Sequence, residues 1–148
     1  MNINTGTTEK WITAAVSLAL LGFIGNYLSM PVAYSVSFIF GSIFSIIAMR
    51  TLGLWFGVGI AFIASLYTYF LWNHPYAIVI FVAEIIWLGV ALKKGKANIV
   101  LIDSVFWLVL GAPLVFFFYY GQMNLGLQST ALIFLKQSLN GILNALIA

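Results

Sequence analysis

A chain of 148 residues in which 64% of the side chains are hydrophobic and only 6% are charged cannot clothe itself for water, since a soluble domain ordinarily carries roughly 25% charged residues. Six basic and three acidic residues are too few to build a nucleic-acid-binding face. The absence of cysteine rules out disulfides, thiolate nucleophiles and cysteine-held metals. A surface facing hydrocarbon needs almost no charge, so the composition describes an all-α, multi-pass membrane protein: a compact bundle of about six transmembrane helices.

In chain order, residues 1–10 are polar and form a short segment ahead of a transmembrane domain over 11–148. The first span is expected over 11–29, too closely followed by further apolar runs to be a cleaved signal. Pro31 is read as the first turn of a second span over 32–49. Arg50 and Thr51 make a turn into a third span over 52–72. Asn73, His74 and Pro75 form a polar break before a fourth span over 76–92. Lys93, Lys94 and Lys96 crowd the next loop, a fifth span covers 99–119, and a sixth covers 130–148. A transmembrane β-barrel would need short stretches of alternating polarity, and these runs are continuously apolar.

Lys10, Arg50 and the three clustered lysines fall at alternate turns, on one side of a six-span series. The opposite turns carry no lysine or arginine. The positive-inside rule then puts both chain ends in the cytoplasm of a bacterial inner membrane. Trp11, Trp55, Trp72 and Tyr76 sit where interfacial aromatic belts are expected, whereas Trp87 and Trp107 lie deeper, facing either the bundle or lipid. Gly53, Gly57, Ala61 and Ser65 share one face of the third span and Gly41 and Ser45 one face of the second, which suits close packing of these two helices. Gly111, Ala112 and Pro113 predict a kink in the fifth span.

Three ionisable residues fall inside spans: Glu84, Asp103 and Lys136. Such groups avoid lipid and face protein or a water-filled cavity. Lys136, Asn140 and Asn144 form a polar stripe at four-residue spacing, flanked by Gln137 and Gly141. Matching depths pairs Lys136 with Glu84, and Asn140 or Asn144 with Asp103, as a coupling set or a structural clasp. A second group gathers at the outer side: Tyr67, Tyr69, Trp72, Asn73, His74, Tyr76 and Tyr119, whose aromatic walls and few polar groups suit a ligand pocket. The single histidine cannot make a multi-histidine metal site. No hydrolytic triad, phosphate loop or paired-carboxylate enzyme motif is legible, so neither an enzyme, a metal nor a cofactor is expected.

Phe40 to Lys94, with Gly41-Ser42, Arg50, Leu52 to Trp55, Tyr67 to Trp72, His74-Pro75-Tyr76 and Glu84, resembles the N-terminal membrane region of bacterial sensor histidine kinases and diguanylate cyclases. Asp103, Phe106-Trp107, Gly111 to Pro113, Lys136-Gln137, Asn140-Gly141 and Asn144-Ala145 extend the likeness. The resemblance implies a sensory input domain for signal transduction, as in two-component systems, relaying a small-molecule or membrane-derived signal through the last helix. Its implied partners are the bilayer, a small-molecule ligand, a second copy of the chain, and a cytoplasmic kinase or cyclase module in the same polypeptide beyond Ala148. The chain also resembles the substrate-capture component of energy-coupling-factor vitamin transporters, in which Ala15 and Ala19 would mark docking to a transmembrane partner. A channel lined by Glu84, Asp103 and Lys136 is the third reading, and its mixed charge signs speak against it.

Overall fold

The computed structural model describes residues 5–33, 36–93, 95 and 98–148. Among these, six helices form the bundle: α1 (Thr5–Tyr27), α2 (Gly41–Thr51), α3 (Leu54–Trp72), α4 (Tyr76–Leu92), α5 (Ile99–Gln122) and α6 (Leu127–Ile147). The chain is an all-α, multi-pass membrane bundle with one short insertion, an antiparallel hairpin of β1 (Met30–Ala33) and β2 (Val36–Phe38). Helix α1 starts by Thr5, so residues 5–10 are helical where a polar lead-in was expected. Residues 1–4 of that lead-in, and Lys94 and Lys96 of the basic cluster, lie outside the described residues.

Length and polarity explain which helices cross. Helices α3, α5 and α6 have 19, 24 and 21 residues, all apolar enough to span, and at 1.5 Å per residue they reach about 28–36 Å, enough for a hydrocarbon core of about 30 Å. Helix α4 has 17. Large apolar side chains on the outer faces are bare, among them Phe70, Leu108 and Leu146, as lipid contact allows.

Helix α2 breaks this pattern. The second span was expected over 32–49, but only 11 residues are helical, about 17 Å or half a crossing. The first half of that apolar run is the hairpin. In the sequence, Ser37 falls between Val36 and Phe38, the two-residue period of a strand, which the apolar residues on either side disguised.

A chain that leaves helical geometry within a membrane bundle must find partners for its backbone groups. Three asparagines supply them. The Ile39 N–H donates to Asn140 Oδ1 (3.1 Å), and Asn144 Nδ2 donates to Ile39 O (3.0 Å). The Gly41 N–H donates to Asn26 Oδ1 (2.7 Å), while Asn26 Nδ2 donates to Ala64 O (2.8 Å). The Phe40 N–H donates to Gly25 O (3.3 Å). Ile39 and all three asparagines are buried. A side chain at position 41 would strike the Asn26 amide, so glycine is needed where this cap closes.

Small residues bring α2 and α3 together as expected. Gly57, Ala61 and Ser65 are buried on α3, and a Cβ at Gly57 would overlap Met49 of α2. Gly53 occupies the cap of α3 with φ of 109°, a conformation open mainly to glycine. On α1, a Cβ at Gly22 would press on Ala64 of α3. Ala15 and Ala19 lie half-buried on the same stripe as Gly22 and Asn26, facing the bundle.

The bend expected at Pro113 takes another form. Proline lacks an N–H and crowds the carbonyl four residues back. Helix α5 accommodates this with π turns over Trp107–Gly111 and Phe116–Gln122, and the Ala112 N–H reaches Trp107 O, five residues back. Gly111 makes room for the Trp107 ring to fold across it. Trp107 thus faces the bundle, whereas Trp87 is half-buried with its indole N–H on Ile102 O (3.2 Å).

Candidate functional site

Two polar centres emerge, and the expected partners are redistributed between them. The inner centre joins α4 and α5. Glu84 and Asp103 are both fully buried, and Glu84 Oε1 accepts from Trp107 Nε1 (3.2 Å). Their carboxyl groups adjoin each other, with the Ser42 hydroxyl beside Glu84. Glu84 Oε2 and both Asp103 oxygens find no N–H or O–H donor. A carboxylate only accepts, so a hydrogen bond between the two groups requires a proton on one of them. Gly141 lets α6 lie directly against this centre, since a Cβ there would strike Trp107 Nε1 and Glu84 Oε1.

Lys136 is elsewhere. Its Nζ lies 4.4 Å from the centroid of the Trp72 ring, a cation–π contact. The expected Glu84–Lys136 pair is therefore replaced by Glu84–Trp107–Asp103 and Lys136–Trp72. Likewise Asn140 and Asn144 bond the Ile39 backbone and not Asp103. The physical reason is depth and azimuth together: Gly141 is the position of α6 that meets Glu84, and Lys136 sits five residues earlier, about 7.5 Å along the helix and about 140° around its axis.

The outer centre is a cavity of about 210 Å³ between the α3–α4 turn, the end of α5 and the first half of α6. Trp72 and His74 form one wall and Tyr119 and Met123 another; Leu125, Ile133, Lys136 and Gln137 close it. The turn is shaped by Asn73, which ends α3 in the left-handed region (φ 55°) with its N–H on Tyr69 O. That reversal swings His74 inward, where it is buried. The imidazole stacks between Trp72 (centroids 6.3 Å) and Tyr76 (5.2 Å) and meets Tyr119 edge-on (5.1 Å). Tyr76 stacks in turn on Phe118 (4.6 Å). Gln137 Nε2 donates to the Tyr119 hydroxyl (3.1 Å). Two buried polar atoms at this cavity have no partner, His74 Nδ1 and Gln137 Oε1. Burial lowers the His74 pKa below its ordinary 6.5, favouring the neutral ring.

Of the residues expected at an outer pocket, Trp72, His74 and Tyr119 line the cavity and Tyr76 backs it. Tyr67 packs edge-on against Phe23 and Tyr27 of α1, Tyr69 is exposed beside Phe70, and Asn73 is an exposed cap. Lys136 and Gln137 were assigned to the inner stripe; the structure puts them in the cavity. Met123, Leu125 and Ile133 were not singled out, and as isolated apolar residues they carry no signal in the sequence. Among the described residues, no cluster of three or more histidine or acidic side chains could hold a metal ion.

No family model and no curated protein matches the sequence. A solved structure does match the fold: the S component of a bacterial ECF transporter, with a TM-score of 0.73 and 16% identity, over 95% of this chain and 91% of that one. The class of architecture is thus the six-helix membrane bundle of that S component. This finding overturns the sensory resemblance. The assignment to a sensor input domain, with its signal transduction, two-component role and kinase or cyclase partner, gives way to the fold of that S component. The sensor likeness rested on scattered short stretches such as Tyr67 to Trp72 and Gly111 to Pro113, whereas the match in three dimensions covers nearly the whole path of the chain.

Proposed function

We propose that this chain is a non-catalytic, substrate-capture membrane subunit of the energy-coupling-factor type. Fold alone does not fix function, and one observation about the site carries the reading. The partly polar aromatic cavity lies at the end of the bundle opposite Lys10, Arg50 and Lys93. Lys10 lies with Thr51 and Leu52 at the α2–α3 turn, and Arg50 and Lys93 line one hollow at the same end; the cavity sits at the other ends of α3 and α5. By the positive-inside rule the basic end is cytoplasmic, both chain ends lie there, and the cavity opens outward in a bacterial inner membrane.

Capture then works by burial. A small molecule entering from outside meets a wall of stacked aromatics that exchanges water for ring contacts, and the few polar groups orient it. The chain needs a partner to use ATP, since nothing in it resembles a phosphate-binding loop. Co-expression with the transmembrane coupling subunit and ATPases of such a transporter tests this. The chain is expected to co-purify with them and to support ATP-dependent uptake in vesicles. Failure to assemble with any such coupling unit from a host whose genome encodes one contradicts the reading.

A further inference from the structure

Resting on that reading, we infer that the outer cavity takes a small planar ring bearing one negative charge, with Lys136 as its counter-ion. The chain has three acidic residues, Glu9, Glu84 and Asp103. Glu84 and Asp103 are committed to each other and to Trp107, fully buried. Glu9 lies in the first turns of α1, at the basic end. None reaches Lys136. A cation at membrane depth without a carboxylate is costly, and the Trp72 ring only partly offsets that. The missing charge is supplied by what enters the cavity.

Size and shape follow from the walls. A dry cavity of about 150 Å³ accepts benzene, so about 210 Å³ holds one ring with a compact substituent, not a fused system with a long tail. Trp72 and Tyr119 give the cavity an aromatic lining suited to a flat ligand, while the faces of His74 are already taken by Trp72 and Tyr76. Gln137 Oε1, buried and unpartnered, accepts an N–H or O–H from the ligand. The ligand class is a monocyclic aromatic or heteroaromatic acid with at least one such donor.

The test uses the full chain in lipid nanodiscs, with binding read by Trp fluorescence. The probes are 4-hydroxybenzoate, 4-hydroxybenzamide and 4-hydroxybenzylamine, which share the ring and the O–H donor and differ in charge. The acid is expected to bind at least about tenfold more tightly than the amide, as a charge-assisted hydrogen bond provides, and the amine not measurably. Lys136→Met should erase the preference for the acid, and Lys136→Arg should retain it. Retention of the preference in Lys136→Met, or equal or tighter binding of the amide or amine by the native chain, overturns the inference. If no probe binds while the chain still assembles with its coupling unit, the anionic-ring assignment falls and the capture role stands; loss of both removes the two together.

Discussion

At the scale of single residues, three asparagines allow the backbone to leave helical geometry inside the membrane. Asn144→Leu removes the donor to Ile39 O and leaves a buried carbonyl without a partner, which costs about 1–3 kcal/mol. A corresponding drop in melting temperature in detergent is expected, and an unchanged melt would contradict the hydrogen-bonding role. Glu84 offers a sharper contrast. A double-mutant cycle between Glu84 and Trp107 should show coupling of about 0.5–3 kcal/mol, and a cycle between Glu84 and Lys136 should show none. His74 predicts a pH effect with a definite sign. Because burial lowers its pKa from 6.5, the unfolded chain binds more protons in the window below 6.5. Stability is therefore full above 6.5 and declines as pH falls through the folded value. It is the chain's one histidine, so His74→Gln should reduce the slope of melting temperature between pH 7 and pH 5; an identical slope refutes the assignment. Glu84, Asp103 and the asparagine stripe could be read from the sequence as interior groups, because lipid cannot satisfy them. Their partners could not, because pairing depends on how far each helix is rotated, and that is set by glycines such as Gly141 that fit one arrangement.

At the scale of elements, α2 and the hairpin decide the architecture. Five of the helices lie where apolar runs were read, although α1 begins at Thr5 and α4 has only 17 residues, Tyr76–Leu92. The second fills only part of its run. Hydropathy averages over a window without regard to period, so Ser37 between Val36 and Phe38 was outweighed by the apolar residues around it. The short helix that remains gains its stability from packing, since 11 residues are marginal for an isolated helix. Its contact with α3 passes through Gly57, where Met49 leaves no room for a side chain. Gly57→Leu should force α2 and α3 apart, at a cost of at least about 1–3 kcal/mol, and reduce the yield of monodisperse protein after detergent extraction. Native-like yield and melting for this variant would mean that the helices do not meet at Gly57.

At the scale of the whole molecule, polar chemistry is divided between two levels. The carboxyl centre ties α4, α5 and α6 together in the interior, while the cavity at the far end from Lys10, Arg50 and Lys93 combines aromatic walls with one cation and two unpartnered acceptor or donor atoms. Membrane character and helix count followed from composition and spacing. The cavity's polar half did not, because Lys136 and Gln137 lie on a stripe whose other members serve the backbone of Ile39. The central claim is that this cavity opens outward. The absence of cysteine makes it directly measurable by placing single cysteines at Met123, on the cavity, and at Lys93, on the basic end. A membrane-impermeant maleimide applied to intact cells with an accessible inner membrane should label Met123→Cys and leave Lys93→Cys untouched until the membrane is permeabilised. Labelling of Lys93→Cys alone in unbroken cells would contradict the account.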